Sequence, residues 1–334
     1  MNRTEPSSSE RRAALLDHLT FSLTPVPPFR LDLTAWALRR RPNNTIDMWD
    51  GTTYRRVLVI DSQPVAVAVS QTGGLKHGRL HVELSAARLP PGAQQSATIM
   101  LQRMLGLRLN LHPFYRLAAR DKRIKPLVQH FRGVKPPRFP TVFEALVNGI
   151  ACQQLTLHVG ILLLSRLAER FGPAVDGDGA VQHAFPRPVD LAALSPLALR
   201  ELGFSTNKAR ALIELSAGLA NGRLDLEGVT ALDDQEALAR LYALHGVGRW
   251  TAEYVLLRGL GRLDTFPGDD VGARNNLARF LHRRAPLDYD GVCRAIAGWQ
   301  PYAGFLYFHL LLDRIKKSGW LARGSALSTS NLTG

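Results

Sequence analysis

Two adjacent carboxylates, Asp269 and Asp270, close the stretch Asp264-Thr265-Phe266-Pro267-Gly268-Asp269-Asp270, just ahead of an apolar-periodic run that starts near Val271. An aspartate in front of a helix ordinarily caps it by accepting hydrogen bonds from first-turn amides. A pair leaves one residue for capping and one for chemistry: stabilising a developing positive charge, or orienting and deprotonating a water. Upstream stands His245-Gly246-Val247-Gly248-Arg249. Glycines on either side of a valine allow a sharp turn that exposes amides at the start of the next helix, and such amides hold phosphate regardless of sequence. Val247 can pack between the two helices, and Arg249 adds a cation at the same place. By itself such a turn is also the corner of an ordinary helix–turn–helix, the more common case.

The elements that must position these residues are legible in the periodicity. Ala237, Leu238, Leu241 and Leu244 give an amphipathic helix before the turn, and Trp250, Tyr254 and Leu257 share one face of the helix after it. The two form a helical hairpin over about residues 235–260. Further helical patterns occur near 195–202, 206–221, 271–283 and 289–317. Phe143, Leu146, Val147 and Ile150 share another helical face. Before them the character differs. From Phe21 to Ser85 the pattern is β-like, with Val65, Val67 and Val69 and then Leu80, Val82 and Leu84 alternating, followed by a helix over Ala93–Leu105. The proline-rich Val134–Pro140 reads as a linker. The expectation is an α+β chain: a flexible tail at 1–18, a small antiparallel β-sheet domain with helices at 19–133, a mostly helical domain at 134–322 and a second tail at 323–334.

Composition narrows the partners. The 334 residues carry 42 Lys and Arg against 28 Asp and Glu, a formal net charge of +14. Such a surplus favours a polyanion, because each neutralised phosphate releases condensed counterions. Cys152 and Cys293 are the only cysteines and stand far apart, so no disulfide framework, zinc knuckle or iron–sulfur spacing can be built from them. No apolar run is long enough to span a bilayer, and the first residues lack a signal-peptide layout, so an intracellular protein is expected.

The stretch Leu244–Asp270 resembles the helix–hairpin–helix, Gly/Pro-rich loop and catalytic aspartate of the DNA glycosylase superfamily, and is most similar to its bacterial 3-methyladenine DNA glycosylase II branch. The resemblance extends to Phe143–Leu146 with Ile150–Gln154, to Phe185-Pro186, to Leu202–Phe204 with Lys208-Ala209, and to Trp299–Tyr302 with His309. It implies that Asp270 is catalytic and that Asp269 either caps the helix or supports the catalytic residue from behind. It implies a pocket for a flipped base walled by Trp250 and Tyr254, with Trp36 and Leu311 as further members; Leu311 stands where the family often has tryptophan. DNA contacts fall on Gly246, Val247, Gly248, Arg249 and Thr251 of the hairpin and on Gln153, Gln154 and Leu155, with Gln154 or Leu155 as the wedge that fills the gap left by the base. The backbone carbonyls of His245, Val247 and Trp250 are implied ligands of a monovalent cation, sodium or potassium.

The chemistry implied is hydrolysis of the N-glycosidic bond of alkylated purines in double-stranded DNA, such as 3-methyladenine or 7-methylguanine. One carboxylate suffices when the leaving base already carries positive charge, and aromatic walls attract such a base. Bifunctional relatives carry a lysine where this chain has Trp250, so a monofunctional enzyme that leaves an abasic site is implied, with no lyase step and no iron–sulfur cluster. A monomer working in the bacterial cytoplasm at the nucleoid is expected. The alternatives are a non-catalytic DNA-binding helix–hairpin–helix protein and a glycosylase for deaminated bases such as hypoxanthine or uracil.

Overall fold

The computed structural model describes residues 16–177 and 180–323. Strands β1 (Asp17–Leu23), β2 (Met48–Trp49), β3 (Thr53–Ile60), β4 (Gln63–Thr72) and β5 (Arg79–Ala86) form an antiparallel sheet in the order β1-β5-β4-β3-β2. The alternating valines and leucines set its register: Val67 faces Leu84, Val69 faces Val82, and all four are buried. A one-residue slip would turn every one of them outward. Helix α2 (Ala93–Met104) covers this apolar face with Ala93, Ala97, Leu101 and Met104. Asp17 and His18, expected in a tail, instead begin β1 and pair with Ala86 and Ser85, because β1 carries Leu19 and Phe21 against the same core. Arg323 likewise ends helix α15 (Trp320–Arg323). The rest of both expected tails, 1–15 and 324–334, lies outside the described residues.

Helix α1 (Leu31–Arg39) interrupts the stretch expected to be β-like. Its Leu31, Ala35 and Leu38 join the core under the sheet, whereas Leu33, Trp36 and Ala37 join a second core. A short helix that is apolar on both sides is buried all round and shows no clean helical stripe in sequence. The second core also takes α3 (His112–Arg120), α4 (Lys125–His130), α12 (Val271–Phe280), α13 (Tyr289–Ile296) and α14 (Ala303–Lys317). A third is built by α5 (Val142–Cys152), α6 (Leu157–Phe171), α7 (Pro188–Leu191), α8 (Pro196–Glu201), α9 (Thr206–Ala220), α10 (Asp234–Tyr242) and α11 (Arg249–Val255). A strand pair, β6 (Ala174–Gly177) and β7 (Ala180–His183), sits inside the region expected to be mostly helical. Among the described residues no helix is long and apolar enough to cross a membrane.

The proline-rich segment is not a linker. Val134, Lys135 and Phe139 are buried, and its backbone is bonded on both sides: Lys135 N donates to Thr34 Oγ1, and Phe139 N donates to the Arg258 carbonyl. Prolines cost little there because those amides are not needed for regular structure. Helices on both sides of Val134 share one core, so packing does not divide the chain at that point.

His309 on α14 is buried among Phe114, Phe131 and Phe305, and its Nδ1 lies 3.0 Å from the Phe305 carbonyl. Burial pushes its pKa down from 6.5 to about 4. The folded state therefore binds fewer protons than the unfolded chain between these values. The stability is present above pH 6.5 and is lost as pH falls toward 4. Denaturant titrations of the wild type should show up to about 3 kcal/mol lost through this single group across that window. His309→Leu should lack that component; identical pH dependence in the two proteins rules the assignment out.

Candidate active site

Helix α12 begins at Asp270, whose extended backbone and side-chain bond to Ala273 N (2.8 Å, through Oδ1) make it the N-cap. Asp269 was expected either in that place or in support of it. Instead it points away and pairs with Arg249 at 2.6 Å. One residue thus does both jobs, because a carboxylate has two oxygens: Oδ1 serves the helix, and Oδ2 faces the Trp250 indole N–H at 3.3 Å and the Tyr307 hydroxyl at 3.4 Å. Three donors from α11, α12 and α14 converge on it.

The loop ahead of Asp270 is pinned from α11. Glu253, nearly buried, accepts Gly268 N at 3.1 Å on one oxygen and the Tyr289 hydroxyl at 2.6 Å on the other. Burial raises its pKa above the usual carboxylate value, against the two hydrogen bonds. Tyr289 also lies under the Arg249 guanidinium, 3.9 Å from its ring centre. Glu253, Tyr289 and Tyr307 all escape a reading of motifs. Tyr307 had one available signal: it stands one helical turn before Leu311 and so shares its face. Burial and the charge of Asp270 push the Tyr307 pKa well above its ordinary value, so it stays a neutral donor.

The Trp250 and Tyr254 rings lie tilted against each other, 5.5 Å between centres and 30° between planes. Trp250 is half-buried beside Asp270, and Tyr254 is buried behind it. The Tyr254 hydroxyl accepts Arg40 Nη1 at 2.9 Å, and Arg40 Nη2 donates to Asn148 at 2.6 Å. Leu311 is partly buried on α14. Trp36 belongs to the same core as Leu311, and its ring stacks on Trp320 at 6.5 Å rather than on Trp250 or Tyr254.

The hairpin is built as its glycines require. Gly246 has φ +80°, and a Cβ there would meet Ala211 Cβ at 2.8 Å; Gly248 is extended and has open space around it. Val247 packs against the core, Arg249 is exposed, and His245 pairs with Glu214 at 2.7 Å. Two expected DNA contacts are placed otherwise. Thr251 is buried, and Gln153 spends its amide on Thr251 Oγ1 (2.8 Å) and the Gly246 carbonyl (2.7 Å). Their work is to tie α5 to the hairpin. Beside them Lys208 Nζ holds the Ala151 and Gln153 carbonyls at 3.0 and 2.6 Å. From this fastened root Gln154, at φ +54°, and Leu155, 41% exposed, project outward. The exposed Val271 flanks Asp270.

A cavity of about 620 Å³ lies elsewhere, lined by Arg56, Phe143, Glu144, Phe185 and Leu224. Glu144 and Cys152 mark opposite ends of α5, roughly 12 Å apart. The acids around the cavity are engaged: Glu144 by Arg56, Glu227 by Val142 N and Asp225 by Gly228 N.

The two glycines separate folding from binding. Gly246→Val should destabilise the fold, through both the positive φ and the Ala211 contact, by about 2 kcal/mol or more in denaturant titrations. Gly248→Val should leave unfolding nearly unchanged and weaken duplex DNA binding about tenfold at fixed salt, by covering the amides at the start of α11. Equal effects of both on unfolding would remove the distinction.

Residues 147–299 match the family described as HhH-GPD superfamily base excision DNA repair protein. The chain is 28% identical over 201 residues to a DNA-3-methyladenine glycosylase of Bacillus subtilis, covering 60% of this chain and 66% of that protein, so it spans just under two thirds of that relative. It is 26% identical over 292 residues to DNA-3-methyladenine glycosylase 2 of Escherichia coli, covering 87% and 96% of the two chains. The solved 3-methyladenine DNA glycosylase of Archaeoglobus fulgidus superposes with a TM-score of 0.78 at 26% identity, over 88% of this chain and 98% of that one. With the hairpin, the pinned loop and the capping aspartate in place, the chain carries across residues 147–299 a base excision DNA repair domain of the HhH-GPD superfamily.

Proposed function

We propose that this protein is a monofunctional DNA glycosylase that removes alkylated purines from duplex DNA. One observation carries the reading: Asp270 offers one carboxylate oxygen beside the paired rings of Trp250 and Tyr254 while its other oxygen fixes it to α12. The base is flipped against the aromatic pair, and the C1′–N bond breaks with its electrons leaving on the base. Asp270 stabilises the oxocarbenium-like sugar, and a water it orients bonds to C1′ and gives up its proton. Gln154 or Leu155 fills the gap in the stack, and the hairpin amides with Arg249 hold the phosphate backbone.

Trp250 supports hydrolysis without a lyase step, since it stands where a Schiff-base amine is needed. Lys208, the amine nearest this region, is committed to two carbonyls. A sodium or potassium ion on the carbonyls of His245, Val247 and Trp250 belongs to the same reading. The first two accept no hydrogen bond among the described residues, and carbonyl oxygens suit a hard cation. The enzyme acts as a monomer at the nucleoid.

The test is a base-release panel on duplexes with alkylated, deaminated and oxidised bases, combined with borohydride trapping. Wild type should release alkylated purines and leave untrapped abasic sites. Asp270→Asn should keep duplex affinity and lose at least about a hundredfold in single-turnover rate. Release from no substrate leaves a DNA-binding protein as the answer; release of hypoxanthine or uracil alone moves the substrate to deaminated bases. A trapped covalent complex overturns the monofunctional assignment.

A further inference from the structure

The corner where the hairpin meets the Asp270 loop holds an arginine with two attachments. Arg249 opens α11, and its exposed guanidinium donates through Nε to Asp269 at 2.6 Å. The same guanidinium lies 3.9 Å from the centre of the Tyr289 ring. Tyr289 in turn rests on the loop. A Cβ on Gly268 would meet its ring atoms at 2.8 Å, so the close approach requires glycine. The Tyr289 hydroxyl donates to Glu253, whose other oxygen accepts Gly268 N. One arginine thus touches residue 269 directly and residue 268 through a ring.

Both residues belong to a single turn that ends on the proposed catalytic carboxylate. Asp270 N donates to the Pro267 carbonyl at 3.0 Å, so the four residues move together. Among the described residues Arg249 is the only hydrogen-bond partner of the Asp269 side chain. A guanidinium carries five donors in a planar fork. Nε is spent on Asp269, and among the described residues neither Nη group has a protein acceptor. The residue can therefore hold Asp269 on one edge and a phosphate on another, with the fork fixing the angle between the two anions. A lysine ammonium is a point charge on a flexible stem and fixes no such angle.

We infer that Arg249 is a positioning residue that ties the DNA backbone to the loop of Asp270, so that a phosphate held at the hairpin sets where this carboxylate stands against the sugar. The inference rests on the glycosylase reading above and adds a role that phosphate contact alone does not supply. An ion pair between partly exposed groups contributes little to stability, so the use of this one lies in placement. Placement matters at a reacting centre, where a shift of about 1 Å can cost about a hundredfold in rate. The plainer role for Arg249 is to neutralise Asp269 beside a polyanion. In that case removing the Asp269 charge would tighten DNA binding and leave the rate untouched.

The experiment separates affinity from rate. Affinity is read on an unmodified duplex at fixed salt, and rate as single-turnover release of 3-methyladenine and 7-methylguanine from a methylated duplex with enzyme in saturating excess. Asp269→Asn should bind at least as tightly as wild type and lose about tenfold in rate. Arg249→Lys keeps the charge, so its affinity should stay within about threefold of wild type while its rate falls about as far. The double variant should be no slower than the slower single one, because both break the same tie. A wild-type rate at saturation in either single variant, or losses that multiply in the double variant, overturns the proposal and leaves Arg249 a phosphate contact. Neither side chain is buried, so thermal unfolding should match wild type. If Asp269→Asn does not fold, Arg249→Lys decides alone. If wild type releases neither base, the reading on which the inference rests fails; release that these variants do not slow removes only the inference.

Discussion

A polar stripe inside a buried helix is the constraint on which the rest of the molecule depends. On α5, Glu144 and Asn148 stand one turn apart in a helix that is otherwise apolar and almost completely buried. Each is met by an arginine from the N-terminal part of the chain. Arg56 of β3 reaches Glu144 at 2.6 Å and Asp47 at 2.8 Å, and Asp47 also accepts the Tyr54 hydroxyl at 2.7 Å. Arg40, at the end of α1, takes Asn148. Burial raises the Glu144 pKa against the pull of Arg56. Such groups are expensive to desolvate, and breaking a buried pair typically costs about 3–5 kcal/mol, so they tolerate only one arrangement of sheet and helices. The N-terminal part of the chain thereby buttresses the site, since Arg40, which ends α1, bonds both Asn148 of α5 and the hydroxyl of Tyr254.

The site is rigid because each mobile element is fastened by a side chain from its neighbour. Gln153 ties the end of α5 to the hairpin, Lys208 ties it to α9, and Glu253 ties the hairpin helix to the loop that carries Asp270. Only after these ties do Gln154, Leu155 and Asp270 remain pointed outward. A carboxylate that must meet a transient cation gains by being placed beforehand, since no reorganisation then accompanies the reaction. In the proposed mechanism, using the helix cap as the catalytic group achieves this with a single residue.

The elements with one buried face were legible in the sequence. Val65, Val67 and Val69 alternate because β4 has one wet side, and the hairpin helices show their spacing for the same reason. Helix α1 was not legible, because it is dry on both sides. The Val134–Pro140 segment was misread because proline marks a break in regular structure, which need not be a break between bodies. At the site, Asp270, Trp250 and Tyr254 were singled out through the resemblance carried by one short stretch of sequence, and the fold brings the three together. Arg40, Glu253 and Tyr307 were not, because each acts through a contact with residues distant in sequence: Arg40 with Tyr254, Glu253 with Gly268 and Tyr289, Tyr307 with Asp270. Arg40 lies in the run Arg39-Arg40-Arg41, which looks like a solvated basic surface. Asp269 and Asp270 could not be ranked by type at all, and only geometry assigned the cap.

Helix α14 carries an exchange that the sequence showed only by half. Leu311 stands where related pockets often place tryptophan, which by itself reads as the loss of an aromatic wall. One turn earlier Tyr307 packs edge-on against Phe266 at 5.9 Å and turns its hydroxyl to Asp270. An aromatic ring that carries a donor thus stands beside the carboxylate one turn before Leu311. A tryptophan wall serves a base mainly through its face, whereas a phenol touching Asp270 acts on the group that meets the sugar. Asp270 therefore shares its outward oxygen between Trp250 and Tyr307 until substrate arrives. In the proposed reaction a flipped nucleotide would replace these two long hydrogen bonds, which are weak at 3.3 and 3.4 Å, at little cost.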